Sequence, residues 1–248
     1  MKKPVIIDCD PGNDDAVALL MAFASNTLSI KAVTAVAGNQ TLDKTLNNAL
    51  AILSYAGIDV PVAAGADRPL IKNLVTAPEI HGENGLAGPA LPQPSLKPVS
   101  SNAIDLMADV AEINNNITII PTGPLTNIAL FLLTHPELKN KITRISLMGG
   151  ACFGGNRTPS AEFNIWTDPE AADIVFRSGI PITMCGLDVT NKALIYKEEV
   201  EKIRGLGHVC CMLANMLDAY GKNTNIQKGL PLHDPCAVAW AIDPTIFT

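Results

Sequence analysis

Four things are missing from the sequence, and each absence closes off a class of function. The first is positive charge in bulk: no Lys/Arg run exceeds the pair Lys2-Lys3, the net charge is −6 and the pI is about 5.2. A nucleic-acid or anionic-lipid binder would carry a basic patch, so neither partner is expected. The second is a long apolar run. The N-terminal segment has only Val5-Ile6-Ile7 before Asp8, too short for a signal peptide, and nothing later approaches a membrane span. The third is a cysteine framework. The six cysteines at 9, 152, 185, 210, 211 and 236 form no C-x-x-C pair. This predicts reduced thiols in a cytoplasmic protein. The fourth is a familiar catalytic signature: there is no G-x-G-x-x-G, H-E-x-x-H or G-x-S-x-G. Gly149–Gly155 is glycine-rich but is followed by no Lys-Ser/Thr, so it is not a P-loop.

What is present is an alternation. Hydrophobic residues make up 48% of the 248-residue chain and charged residues 17%, the balance of a globular protein. Short apolar runs predict strands at Val5–Asp10, Ile30–Ala37, Val60–Ala64, Ile117–Pro121, Ile142–Met148 and Ile182–Leu187. Between them, longer patterns predict helices at Asp14–Ser25, Leu42–Ala56, Ala103–Ile113, Leu125–Thr134 and Pro169–Ser178, with a helical pattern beyond Lys197. Residues 65–100 read as a long loop region. No repeat, coiled coil or linker divides the chain, so residues 1–248 are read as a single domain. The order predicts an α/β fold: a mostly parallel sheet with helices on both faces and a Rossmann-like core.

In such sheets ligands bind beyond the carboxyl ends of the strands. Polar residues collect at these predicted ends: Asp10, Gly38-Asn39, Thr122-Gly123, Gly149-Gly150 leading to Asn156, Glu162 and Asn164, and Asp188. The sharpest feature is Asp8-Cys9-Asp10-Pro11-Gly12-Asn13-Asp14-Asp15, with four carboxylates in eight residues. Asp14 and Asp15 fall in a first helical turn, where helix capping and a solvated turn explain one or two acids. Capping does not explain Asp10 at the end of an apolar strand. Crowded carboxylates repel unless protonated or neutralised by a cation, and an all-oxygen set suits Ca²⁺ or Mg²⁺. His233-Asp234-Pro235 offers a second acidic arm. His81 sits in a loop where it could meet a substrate; His135 and His208 read as helix-end residues without a role. The D-x-D pair Asp8/Asp10 also leaves open a Mg²⁺-dependent phosphatase, although Gly12 stands where that family usually places Thr or Val.

Several segments together resemble the inosine–uridine nucleoside hydrolase family. They are Asp8–Ala16, Ala37-Gly38-Asn39-Gln40-Thr41, His81-Gly82-Glu83-Asn84-Gly85, Pro121–Asn127, Met148-Gly149-Gly150, Ala161–Ile165, Asp168–Ala172 and His233–Cys236. They occur in the family's order from residue 4 to the end and look closest to its bacterial pyrimidine-preferring branch. The resemblance implies hydrolysis of a small-molecule ribonucleoside, uridine or cytidine, to ribose and free base in nucleoside salvage, by a homodimer or homotetramer. It implies one Ca²⁺ held by Asp10, Asp15, Asp234 and the Thr122 backbone carbonyl, with Asp10 also acting as base. It places Asp14, Asn39, Asn156, Glu162 and Asn164 on ribose hydroxyls, with Met148 and Phe163 lining the pocket. His81 and His233 become the candidates for assisting departure of the base. Family members usually continue past the point where this chain stops, so the resemblance implies a shortened C-terminal part and, with it, an inactive remnant as the alternative. The segment Tyr220–Leu232 is also short, with no aromatic after Tyr220 where relatives often place one against the base.

Overall fold

A computed structural model of the chain describes residues 2–224 and 229–247. Its strands are β1 (Lys3–Cys9), β2 (Leu28–Ala35), β3 (Val62–Ala64), β4 (Ile117–Pro121), β5 (Ile142–Met148) and β6 (Ile182–Cys185). They form one sheet in the order β3-β2-β1-β4-β5-β6, with every pairing parallel. Parallel neighbours require crossovers, and helices supply them. In chain order these are α1 (Asn13–Ala24), α2 (Leu42–Tyr55), α3 (Pro78–His81), α4 (Ala103–Ile113), α5 (Thr126–Thr134), α6 (Phe163–Thr167), α7 (Pro169–Phe176), α8 (Leu187–Thr190), α9 (Lys197–Arg204), α10 (His208–Thr224) and α11 (His233–Ile242).

The sheet separates two apolar layers. Val5, Ile7 and Cys9 of β1 join Ala16 and Leu19 of α1, Leu53 of α2, Met216 of α10 and Val238 of α11. Ile6 joins the opposite layer, with Met107 of α4, Phe131 of α5 and Val175 of α7. This period-two partition is why β1 reads as an unbroken apolar run: both faces are buried. The expected α/β architecture is thus observed.

The strand order reverses at β1. The chain adds β2 and β3 on one side, then crosses to place β4 against the other side of β1. The carboxyl ends of β1 and β4 therefore flank the crevice where doubly wound sheets bind ligands. Asp10 follows one of these strands and Thr122 the other.

Four local features depart from the sequence reading. Residues 65–100 contain the single turn α3. The five residues before Asp168 fold into α6. The predicted strand Ile182–Leu187 ends at Cys185, and Leu187 already opens α8. The helical pattern beyond Lys197 is interrupted by Leu230–Pro231 (β8), which pairs antiparallel with Leu194–Ile195 (β7). Helices of four or five residues are too short to show a period, and a two-residue ladder between distant segments leaves no local signal.

Candidate active site

The site begins where β1 runs out. Asp8, still in the strand, turns its carboxylate inward, where Oδ1 accepts from Thr34 Oγ1 at 2.6 Å and Asn127 Nδ2 at 2.7 Å. Burial pushes its pKa up to about 7 against the lowering effect of those two donors. It thus ties β1, β2 and α5 together from below the site.

Asp10 is fully buried and is held from the β2 side. Its Oδ2 accepts from the Asn39 backbone N–H at 2.7 Å, and Asn39 Nδ2 donates to the Asp10 carbonyl at 3.2 Å. A Cβ on Gly38 would stand 2.1 Å from Asp10 Oδ2, and one on Gly123 2.5 Å from Oδ1. The two glycines are therefore the space the carboxylate occupies. Asp10 Oδ1 is buried without a hydrogen-bond partner.

Asp14 and Asp15 open α1, and Asp234 opens α11, which packs on α1. Two helix N-termini thus present their partial positive ends to three acids. Asp15 accepts from Gly12 N–H at 2.9 Å and Thr122 Oγ1 at 2.7 Å. The Asp234 carboxyl lies beside it. Oxygens of Asp14, Asp15 and Asp234 all lie within 4.8 Å of one another. Asp10 stands outside that trio, although Asp15 is the leading charge raising its pKa after burial itself.

The electrostatics are those of a cluster that a cation could neutralise. Burial, then the neighbouring acids, push Asp10 and Asp234 well above the usual carboxylate range, and Asp15 up to about 6. Among the described residues no Lys or Arg forms an ion pair with any of them. Buried unpaired acids cost several kcal/mol each unless protonated or matched by a counter-charge. An oxygen-only set with buried, unpartnered Oδ1 atoms on Asp10 and Asp14 fits a hard divalent ion. The Thr122 carbonyl already accepts from Asn164 Nδ2 at 2.8 Å, which leaves its second lone pair for a further partner.

Above the acids lies a cavity of about 270 Å³, lined among others by Asp14, Asn39, Thr122, Met148, Asn164 and Asp234. Asn156, Glu162 and Phe163 line it from the β5 side, His81 and His233 from the opposite segments. The expected site residues thus converge on one cavity, except Asp10 and Asp15, which are buried behind its lining. Asp188 does not join them; it accepts the Cys152 N–H at 2.9 Å instead. Glu162 is committed to backbone: Oε2 accepts from Gly150 N–H at 2.8 Å and Ile165 N–H at 3.2 Å, Oε1 from Asn164 N–H at 2.9 Å. It caps α6, and α6 in turn carries Phe163 and Asn164 into the cavity. Asn156 Oδ1 accepts the Phe163 N–H at 2.8 Å.

His81 is buried and His233 half-buried, and loss of hydration lowers both pKa values, so the imidazoles are neutral near pH 7. Thr190 Oγ1 is 2.8 Å from His233 Nδ1. His81 stacks on Tyr220 with ring centroids 5.6 Å apart, and its Nδ1 has no partner. It fits there because Gly12 has no Cβ, which would lie 2.4 Å from Nδ1.

Sequence reading missed Glu79, Arg157 and Pro231 as lining residues. Glu79 and Arg157 sit in polar segments where one charge looks like any other. Tyr220 was noted only as the last aromatic of its segment; residues 225–228 of that segment lie outside the described residues.

Comparison with known proteins follows the same geometry. The profile of the inosine-uridine preferring nucleoside hydrolases matches residues 5–248. The pyrimidine-specific ribonucleoside hydrolase RihA of Photobacterium profundum is 55% identical over 254 residues, covering 100% of this chain and 82% of that protein. The protein of that name from Salmonella typhimurium is 52% identical over 255 residues, with the same coverage of 100% and 82%. Among solved structures, the purine-preferring ribonucleoside hydrolase from Gardnerella vaginalis superposes with a TM-score of 0.94 at 38% identity, covering 99% of this chain and 82% of that one. With fold, acidic cluster and full-length similarity in agreement, the chain belongs to the inosine-uridine preferring nucleoside hydrolase family, hydrolases that act on N-glycosyl bonds.

Proposed function

We propose that the chain is a Ca²⁺-dependent pyrimidine ribonucleoside hydrolase, releasing ribose and free base from uridine and cytidine in nucleoside salvage. The observation that carries the metal dependence is the buried cluster of Asp10, Asp14, Asp15 and Asp234 at the base of the cavity, which no Lys or Arg side chain pairs among the described residues. The pyrimidine preference rests on the relatives at 52–55% identity. A cytoplasmic homo-oligomer and a single domain over residues 1–248 belong to the same reading.

Asp10, Asp15, Asp234 and the Thr122 carbonyl would hold the ion, with Asp14 close enough to contribute. When bound, Ca²⁺ supplies positive charge that neutralises the cluster, orients the ribose hydroxyls and lowers the pKa of water. N-glycosidic cleavage develops an oxocarbenium-like sugar, as other glycosyl cleavages do. Carboxylate and amide oxygens fixed around the ring stabilise that charge without reorganising. Asn39 fixes the Asp10 carboxylate, so that Asp10 can accept the proton of the attacking water. Glu162 fixes α6, and with it Asn164 against the sugar. His233, oriented by Thr190, and His81, with an unpartnered Nδ1, can each hydrogen-bond the departing base as neutral imidazoles.

The test is ribose release from uridine, cytidine and inosine, beside phosphate release from a generic phosphomonoester. Turnover of the pyrimidine nucleosides, abolished by a chelator and restored by Ca²⁺, is expected. Phosphate release without ribose release would replace this reading with the phosphatase one, and a folded chain inert towards all of them would leave the inactive-remnant reading.

A further inference from the structure

The cavity mouth is bridged by an ion pair that the chemistry does not use. Arg157 Nη1 lies 3.5 Å from Glu79 Oε1, and both residues line the cavity. They belong to different structural units. Glu79 sits on α3, the turn that ends in His81. Arg157 belongs to the loop between β5 and α6 that also supplies Asn156.

The two ends of the bridge are unequally anchored. Arg157 N–H donates to the Ala161 carbonyl at 3.0 Å, and Thr158 Oγ1 accepts the Ala161 N–H at 2.9 Å, closing a tight turn. The guanidinium carbon of Arg157 is 4.9 Å from the Trp166 ring centroid, and Trp166 is part of α6. The guanidinium thus rests over an indole ring as well as facing its carboxylate partner. The α3 side is lighter. Its single turn is fixed at its margins, by Ala77 N–H to the Asn39 carbonyl at 2.9 Å and by Gln40 Nε2 to the Gly82 carbonyl at 3.0 Å. Ile80, next to His81, is 36% exposed. The His81 ring packs on Tyr220, but a helix of one turn has little cooperative hydrogen bonding of its own to hold it closed.

We propose that Arg157 is a positioning residue: through Glu79 it latches α3, and the His81 it carries, against the sugar-side loop. An exposed ion pair stabilises a fold little. Its effect here falls on the one segment it closes, so it changes where His81 sits more than whether the chain folds.

Amide hydrogen exchange tests the latch without requiring activity. In Glu79→Gln and in Arg157→Ala, the amides of Ile80, His81 and Gly82 are expected to exchange about fivefold faster, while β4 and α4 amides are unchanged. The double variant should match either single one, since both remove the same pair. Unchanged exchange in Glu79→Gln, additive effects, or acceleration spread over the whole chain would each overturn the latch. A kinetic arm rests on the hydrolase reading: kcat/KM for uridine falls about fivefold in both variants. An inactive wild type would defeat that reading and leave the exchange result to decide the latch. In an active enzyme, unchanged kcat/KM in both variants would contradict it.

Discussion

Asp10, Asp15 and Asp234 are held in a state they would not choose in water. Their pKa values are raised by burial first and by a neighbouring carboxylate second, Asp15 acting on Asp10 and Asp14 on both Asp15 and Asp234, and the deeper Asp8 is raised by burial to about 7. The folded chain therefore keeps protons that the unfolded chain has already released. With more protons on the native state, stability falls as pH rises from the ordinary carboxylate range through about 6 for Asp15 and about 7 for Asp8. Melting curves of metal-stripped protein from pH 4.5 to 7.5 should show that decline, with a shallower slope in Asp8→Asn. Added Ca²⁺ should raise the melting temperature more at pH 7.5 than at pH 5, because only ionised ligands bind it. A shift equal at both pH values would speak against the cluster as the ion's site. In Asp234→Asn the Ca²⁺ shift and ribose release should vanish, while the metal-free variant melts higher than wild type at pH 7.5 through lost repulsion. Melting below wild type with the Ca²⁺ shift intact would contradict this assignment.

Gly123 makes the same point from the steric side. A methyl there would meet the Asp10 carboxylate at 2.5 Å and Val36 Cγ1 at 3.0 Å. Gly123→Ala should cost about 1–3 kcal/mol in stability and lower kcat by at least ~10-fold by moving the proposed base. Urea melts together with uridine turnover measure both; wild-type turnover would show that Asp10 tolerates displacement. These acids were legible because four carboxylates in eight residues at the end of an apolar strand have no ordinary structural reason. The Asp14 membership of the close trio was not legible, since it depends on how α11 docks on α1.

At the scale of elements, the long ones could be read and the short ones could not. Ala103–Ile113, Ile117–Pro121 and Ile142–Met148 stand as their apolar patterns predict, because burial on a fixed period writes itself into the sequence. The turn α6 left no such trace. It exists because Glu162 takes up three backbone N–H groups at its start and at Gly150. Glu162→Ala should therefore act as loss of a cap, about 1–2 kcal/mol, and lower the melting temperature by roughly 2–8 °C. Because α6 carries Phe163 and Asn164, KM for uridine should rise with it. A lower melting temperature with unaltered KM would show that α6 supports the fold without positioning substrate.

For the molecule as a whole, function follows from where the chain reverses. Placing β4 beside β1 brings Thr122 to the acids that follow β1, and α11 returns from the far end of the sequence to add His233 and Asp234. Strand–helix alternation announced the parallel sheet, and the resemblance of separate segments announced their convergence. The rim chemistry around Glu79 and Arg157 was invisible, since no spacing links the two residues. On the proposed reading, this convergence builds a cation-dependent N-glycosidase. The most direct test of that reading is a calorimetric titration of metal-stripped protein with Ca²⁺, with ribose release from uridine followed at each point. The expected result is saturable binding of one ion per chain, with turnover absent at the start and rising in step with occupancy. Full-rate ribose release from the metal-free protein would contradict it.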